Sequence, residues 1–194
     1  MTELTESDVS DLVSFFRVSG KLKRTSRSGW VEAGVDSPES VADHTFRTAI
    51  LCMVHSDLEG LDALKMIQMA LIHDLPEAIT GDLTPSERTT QAKEREEEAM
   101  KRLLHLLPEK QREKYNGVWR EYEEGKTAES RAVKGLDKLE MALQAKEYGH
   151  IESSKESLGG FLESAKDAAT TKTTKRLLSH LLCQRFESVQ LQSV

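Results

Sequence analysis

Apolar residues recur along this chain at three- and four-residue intervals, and strict alternation never persists beyond a few positions. That periodicity predicts helices and gives a sheet no source. Val9, Leu12, Val13 and Phe16 fall on one stripe and predict a first helix over 6–18. The stretch 40–56 is apolar nearly all round, through Val41, Phe46, Ile50, Leu51, Met53 and Val54, which predicts a helix at the centre of the fold. Residues 61–73 carry Ala63, Ile67 and Ala70 on a stripe that Asp74 and Glu77 would continue. Further helices are predicted over 109–123, 128–147 and 157–187. The last is expected to weaken or divide near Gly159-Gly160 and within 170–174, where glycine and threonine disfavour the helix.

The polar punctuation agrees. Pro38, Pro76, Pro85 and Pro108 fall where helical patterns start or stop. Thr84-Pro85-Ser86-Glu87 combines an N-cap, a proline at the first helical position and a glutamate at the third, which predicts the start of a long charged helix ending before Pro108. In that helix Glu97 and Glu98 stand four residues before Lys101 and Arg102, the spacing of a solvated face. The basic stretch 21–30 lacks the periodicity and is expected to be a loop.

Composition narrows the class. With 194 residues, 38% hydrophobic and 31% charged, the chain suits one well-filled core and is too apolar for disorder. An all-α single domain over 1–194 is the expectation. The net charge of -6 gives no electrostatic drive toward a nucleic-acid polymer. The longest apolar run, Ala49 to Val54, is far short of a bilayer span, so no membrane partner is expected. Residues 1–11 are acidic and polar, without the pattern of a signal or transit segment. Cys52 and Cys183 both sit among apolar neighbours and read as buried thiols of a reducing compartment, cytoplasm or nucleus.

The candidate chemistry lies in Leu71 to Asp82, where four ionisable side chains, His73, Asp74, Glu77 and Asp82, follow an apolar helix. Adjacent residues face one point only near a helix end, and Pro76 marks such an end for His73 and Asp74. An imidazole and a carboxylate there offer one nitrogen and one oxygen to a divalent ion. Alone, the pair fits a helix cap or a satisfied core histidine better than a metal site. His44, in line with Val41, Thr48 and Leu51, interrupts an apolar face, and so does Asp137 between Val133 and Met141. Read singly, His44 fits a buried hydrogen bond and Asp137 a partly exposed salt bridge. Jointly they place two imidazoles and two carboxylates on three helices.

His44, His73-Asp74 and Asp137 match the H…HD…D signature of the HD-domain metal-dependent phosphohydrolases. Ser28-Gly29-Trp30-Val31, Pro38 to His44, His73 to Glu77 with Gly81-Asp82, and Leu136 to Glu140 resemble the HD domain-containing protein 2 group, related to bacterial 5'-deoxynucleotidases. The resemblance implies a helical HD-domain bundle with a core at about 15–148 and a C-terminal helical segment over 157–187. It implies that His44, His73, Asp74 and Asp137 hold one divalent ion (Mn, Co, Mg, Zn or Fe) and that Glu77 activates or orients water. Trp30 and Asp82 would bind a deoxyribonucleoside 5'-monophosphate, and Glu77, Asp82 and the Leu83 carbonyl would hold a second ion. A homodimer is also implied. The bacterial enzymes carry an arginine where this chain has Gly29, which leaves Arg27 or Arg24 as the expected phosphate-binding cation. Another HD hydrolase, acting on deoxynucleoside triphosphates or cyclic nucleotides, and a scaffold with a structural metal are the competing expectations.

Overall fold

The computed structural model describes residues 4–149 and 159–183. The chain runs through α1 (Glu6–Ser19), a 3-10 turn (Gly20–Arg24), α2 (Ser28–Glu32), α3 (Val41–Glu59), α4 (Ala63–Ile72), α5 (Glu77–Thr80), α6 (Thr90–Leu104), α7 (Glu109–Glu124), α8 (Ala128–Tyr148), α9 (Gly159–Ala168) and α10 (Lys172–Cys183). No strand forms among the described residues, where an isolated bridge joins Ser26 to Ser40. None of these helices is long and apolar enough to cross a membrane.

Caps fix the helices that carry chemistry. Ser40 and Asp43 close a reciprocal box at the start of α3, and Thr127 and Ser130 do the same for α8. Half of the predicted box at Thr84 forms: the Thr84 amide and hydroxyl both donate to Glu87 Oε2 at 2.9 Å, while the Glu87 amide donates to the Thr84 carbonyl at 3.0 Å rather than to the hydroxyl. It closes a single turn rather than starting the long helix. Thr84 is buried, so the chain is held inward there and restarts at Thr89, which caps α6 with its own hydroxyl. The basic stretch 21–30 is likewise more ordered than a loop. Leu22 buries beneath α3, fixing the 3-10 turn, and Asp82 receives the first amide of α2 at Ser28.

Helices α3, α4 and α8 pack on one another and form the centre. One apolar cluster joins Cys52 of α3, Met66 and Met69 of α4, Leu136 and Leu139 of α8, and Leu178 and Leu181 of α10. A second lies below α1 and α6, around Val41, Leu75, Met100, Leu103 and Trp119. The segment predicted over 157–187 is two helices within the described residues; 157, 158 and 184–187 lie outside them. Its first helix approaches α8 so closely that a Cβ on Gly135 would lie 2.9 Å from the Ala168 carbonyl oxygen.

Two burial expectations are corrected. Cys183 is exposed near the end of α10, whereas Cys52 is buried. Helix α3 is central, yet among the described residues one face of it is left open: Phe46 is 69% and Leu58 66% exposed, and Ile50, Met53 and Val54 are exposed with them. All-round hydrophobicity reported a second apolar face that no other described element covers.

Candidate active site

The site begins at the end of α4. His73 caps that helix, its Nδ1 bonding to the Ala70 carbonyl oxygen at 2.7 Å, while Trp119 of α7 donates Nε1–H to the His73 carbonyl at 3.4 Å. The chain then turns through Pro76 into α5. Leaving regular helix at this point lets sequence neighbours converge, and His73 Nε2 lies 3.1 Å from Asp74 Oδ2.

Helices α3 and α8 complete the group. His44 projects from α3, with Nε2 3.8 Å from Asp74 Oδ2 and 3.0 Å from Asp137 Oδ1 of α8. Its other nitrogen, Nδ1, bonds to Glu140 one turn further along α8. Glu140 is fully buried, and its Oε1 accepts from Arg47 Nε at 2.8 Å. Each imidazole thus spends its N–H on a structural oxygen, Ala70 O or Glu140, and turns the lone pair of Nε2 inward.

Those lone pairs test whether the residues suit a metal. Both Nε2 atoms are buried without an aligned hydrogen-bond partner, facing carboxylate oxygens that cannot donate. Acceptor against acceptor is unfavourable unless a cation or a proton stands between them. His44, His73 and Asp74 each offer a donor atom within 4.8 Å of the others, and Asp137 joins through His44. Two imidazoles held from behind by oxygen acceptors, with carboxylates in front, are the donor set of a divalent metal site. Without a metal the gap fills with a proton. Burial lowers the His44 pKa, but hydrogen bonds to Asp137 and Glu140 reverse this and raise it to about 9.

Around this pole the electrostatics are dense. Arg27 is buried, with Nη1 2.8 Å from Asp82 Oδ1, 3.3 Å from Asp74 Oδ2 and 3.9 Å from Glu77 Oε2. Burial opposes the charge of Asp74, yet His73 and Arg27 hold its pKa well below the usual carboxylate range. Glu77 shows the opposite balance. Burial and the Asp74 and Asp82 carboxylates push it up to about 10, and its Oε2 is buried with no hydrogen-bond partner.

Two adjoining cavities serve this pole. A small polar cleft of about 50 Å³ is lined by His73, Asp74, Glu77 and Asp137 among others. A larger cavity of about 610 Å³ opens beside it, walled by Trp30, Ala33, Leu83, Met141 and Phe161. Trp30 is almost fully buried, stacked on Phe161 at 4.0 Å between ring centroids, with its Nε1 donating to Glu39 at 2.9 Å. It forms part of the wall and part of the core at once.

The structure therefore brings His44, His73, Asp74, Asp137, Glu77, Asp82 and Arg27 together, with Trp30 and Leu83 in the larger cavity's wall. Arg24 is exposed and lines neither cavity. The pair expected for a second ion is separated by charge, because the Arg27 guanidinium contacts both Glu77 and Asp82. The Asp82 carboxylate is also tied to the Ser28 amide at 2.5 Å. Sequence reasoning missed the part played by Glu140. The four-residue step from Leu136 and the three-residue step from Asp137 are its signal, since both place it on the buried face of α8.

Comparison with known proteins agrees with this arrangement. The HD domain family model matches residues 19–180. The chain is similar to the 5'-deoxynucleotidase HDDC2 of Bos taurus, 40% identical over 181 residues that cover 92% of this chain and 88% of that one. Among solved structures it is similar to the PH0347 protein of Pyrococcus horikoshii, with a TM-score of 0.74, 31% identity and coverage of 88% and 96%. It also resembles a protein of Magnetospirillum magnetotacticum described as a predicted metal-dependent phosphohydrolase, with a TM-score of 0.72, 26% identity and coverage of 91% and 94%. A buried two-histidine, two-carboxylate pole on three packed helices, and a family match that spans all of its residues, establish that this chain belongs to the HD domain family.

Proposed function

We propose that this protein is a divalent-metal-dependent 5'-deoxynucleotidase that hydrolyses deoxyribonucleoside 5'-monophosphates to deoxynucleoside and phosphate. The observation that carries the reading is the pair of buried His44 and His73 Nε2 lone pairs, set beside a Glu77 Oε2 without a hydrogen bond in the polar cleft that adjoins the aromatic-walled cavity. The 5'-deoxynucleotidase name of the bovine relative supports the substrate class.

His44, His73, Asp74 and Asp137 would hold the ion. Their nitrogen and oxygen donors suit Mn, Co, Mg, Zn or Fe, with the ion set by availability as much as by affinity. A divalent ion bound there supplies acidification of water, neutralisation of phosphate charge, and a field that favours the Glu77 carboxylate over its protonated form. Glu77 accepts the proton of the attacking water as its oxygen bonds to phosphorus and the bond to the nucleoside 5'-oxygen breaks. Arg27 holds Asp74 and Asp82 in place through its guanidinium and balances part of the negative charge. Trp30 and Phe161 offer aromatic surface to the base, and the turn bearing Asp82 packs where the sugar would lie.

A homodimer is part of the proposal. The exposed apolar side chains of α3, Phe46, Ile50, Met53, Val54 and Leu58, and of α1, Val13 and Phe16, are the surface offered for it. A second copy covers both.

Purified protein tested on dAMP, AMP and dATP decides the reading. Release of inorganic phosphate from dAMP, faster than from AMP, is expected. Equal rates on dAMP and AMP would remove the deoxyribose preference, and tripolyphosphate from dATP with dAMP intact would replace the monophosphatase with a triphosphohydrolase.

A further inference from the structure

Three cations, Arg27, Arg88 and Lys138, line both the polar cleft and the larger cavity. They therefore stand where the two spaces adjoin. Their availability differs. Arg27 is buried and engaged by Asp74 and Asp82. Lys138 Nζ lies 3.1 Å from Asp137 Oδ2 and 3.5 Å from Met141 Sδ. Arg88 makes no hydrogen bond or ion pair with another described residue, although its charge senses Asp74, Glu96, Glu77 and Asp137. The residue is exposed while the turn that carries it is fixed at both ends, by the two Thr84-to-Glu87 hydrogen bonds before it and the Thr89 cap of α6 after it.

Charge balance calls for such a residue. Asp74, Glu77, Asp82 and Asp137 gather at the cleft, and the two cations in contact with them are already committed. A phosphate monoester brings further negative charge to this place and needs a cation that is not neutralised by the protein.

We propose that Arg88 is the substrate's phosphate-binding residue, reaching from the 84–89 turn across the junction of the two cavities to fork two phosphate oxygens. This rests on the nucleotide reading above. A guanidinium suits the task because its planar pair of N–H donors matches two oxygens of one phosphate. The fixed turn sets where the side chain starts, and the absence of a competing carboxylate contact leaves it ready for the ligand.

The test compares wild-type, Arg88→Ala and Arg88→Lys proteins, metal-loaded and shown to be folded by circular dichroism. Arg88→Ala is expected to lower kcat/KM for dAMP by about 10- to 100-fold, the worth of a hydrogen bond to a charged group, and to weaken calorimetrically measured binding of inorganic phosphate to a similar degree. Inhibition by deoxyadenosine, which lacks the phosphate, should stay within about twofold, and Arg88→Lys should recover part of the loss as a point charge without the fork. Unchanged kcat/KM and phosphate binding in Arg88→Ala would overturn the assignment, as would an equal loss of deoxyadenosine inhibition. If the wild-type protein hydrolyses no deoxynucleoside monophosphate, the nucleotide reading fails by itself, and phosphate binding by wild type against Arg88→Ala still decides the role of Arg88.

Discussion

Helix α3 buries His44, Thr45, Thr48, His55 and Ser56 on its inner face, together with Val41 and Cys52, while its outer face exposes Phe46, Ile50, Met53, Val54 and Leu58. The inside of the helix is thus more polar than the outside, the reverse of an ordinary surface helix. On the inner face His44 Nδ1 meets Glu140, His55 Nε2 meets the Thr171 hydroxyl at 3.2 Å and Ser56 donates to the Met53 carbonyl at 2.8 Å, while Thr48 Oγ1 and His55 Nδ1 are buried without a hydrogen-bond partner. The outer face offers apolar side chains, which the proposed homodimer would cover. If one face serves chemistry and the other association, changes on each should separate cleanly.

The largest effect is expected at the inner pole. Glu77→Ala should lower kcat on dAMP by about 10²- to 10⁴-fold, the usual range for losing a proton acceptor, while the metal content measured by atomic spectroscopy is kept. Loss of metal along with activity would make Glu77 a ligand rather than a base. Glu140→Ala removes the carboxylate behind His44 and should weaken metal affinity by about 10- to 100-fold in a competition titration with a chelator. Affinity equal to wild type would show that Glu140 does not orient the ring. Gly135→Ala drives a methyl into the Ala168 carbonyl on the far side of α8 and should cost about 1–3 kcal/mol in a denaturant titration, with turnover per folded molecule retained. A fall in turnover there would mean that the α8–α9 contact also sets the position of Asp137. The smallest effect on chemistry is expected from Phe46→Glu, which should yield monomers in sedimentation while kcat stays within about twofold. Wild-type protein that sediments as a monomer would leave the outer face without its assigned partner.

Much of this division was readable before any coordinates. The helix periods came from local spacing; polar residues on apolar stripes, His44 in line with Val41 and Asp137 beside Val133, marked candidate positions, and the family resemblance supplied their expected role as ligands. What spacing cannot express is which of two apolar faces is covered, so α3 read as buried all round. Nor can it express competition within a loop: Glu87 reaches back to Thr84 as the spacing suggests, but Thr84 is drawn inward and the helix begins at Thr89 instead. The phosphate-binding cation depended on a contact distant in sequence. Gly29 faces Phe161 of α9, where an added Cβ would lie 3.1 Å from the ring, and Arg27, the nearest alternative, is engaged by carboxylates 47 and 55 residues away. Such pairings exist in three dimensions alone.

The central claim is that chemistry at the inner pole depends on an ion held by His44, His73, Asp74 and Asp137. Phosphate release from dAMP, followed on protein stripped with a chelator and then resupplied with each divalent ion in turn, tests it directly. The account predicts no release from the stripped protein and recovery with at least one of Mn, Co, Mg, Zn or Fe, but no recovery in an Asp74→Ala variant that folds normally. Undiminished release after complete metal removal, or full recovery in Asp74→Ala, would contradict it.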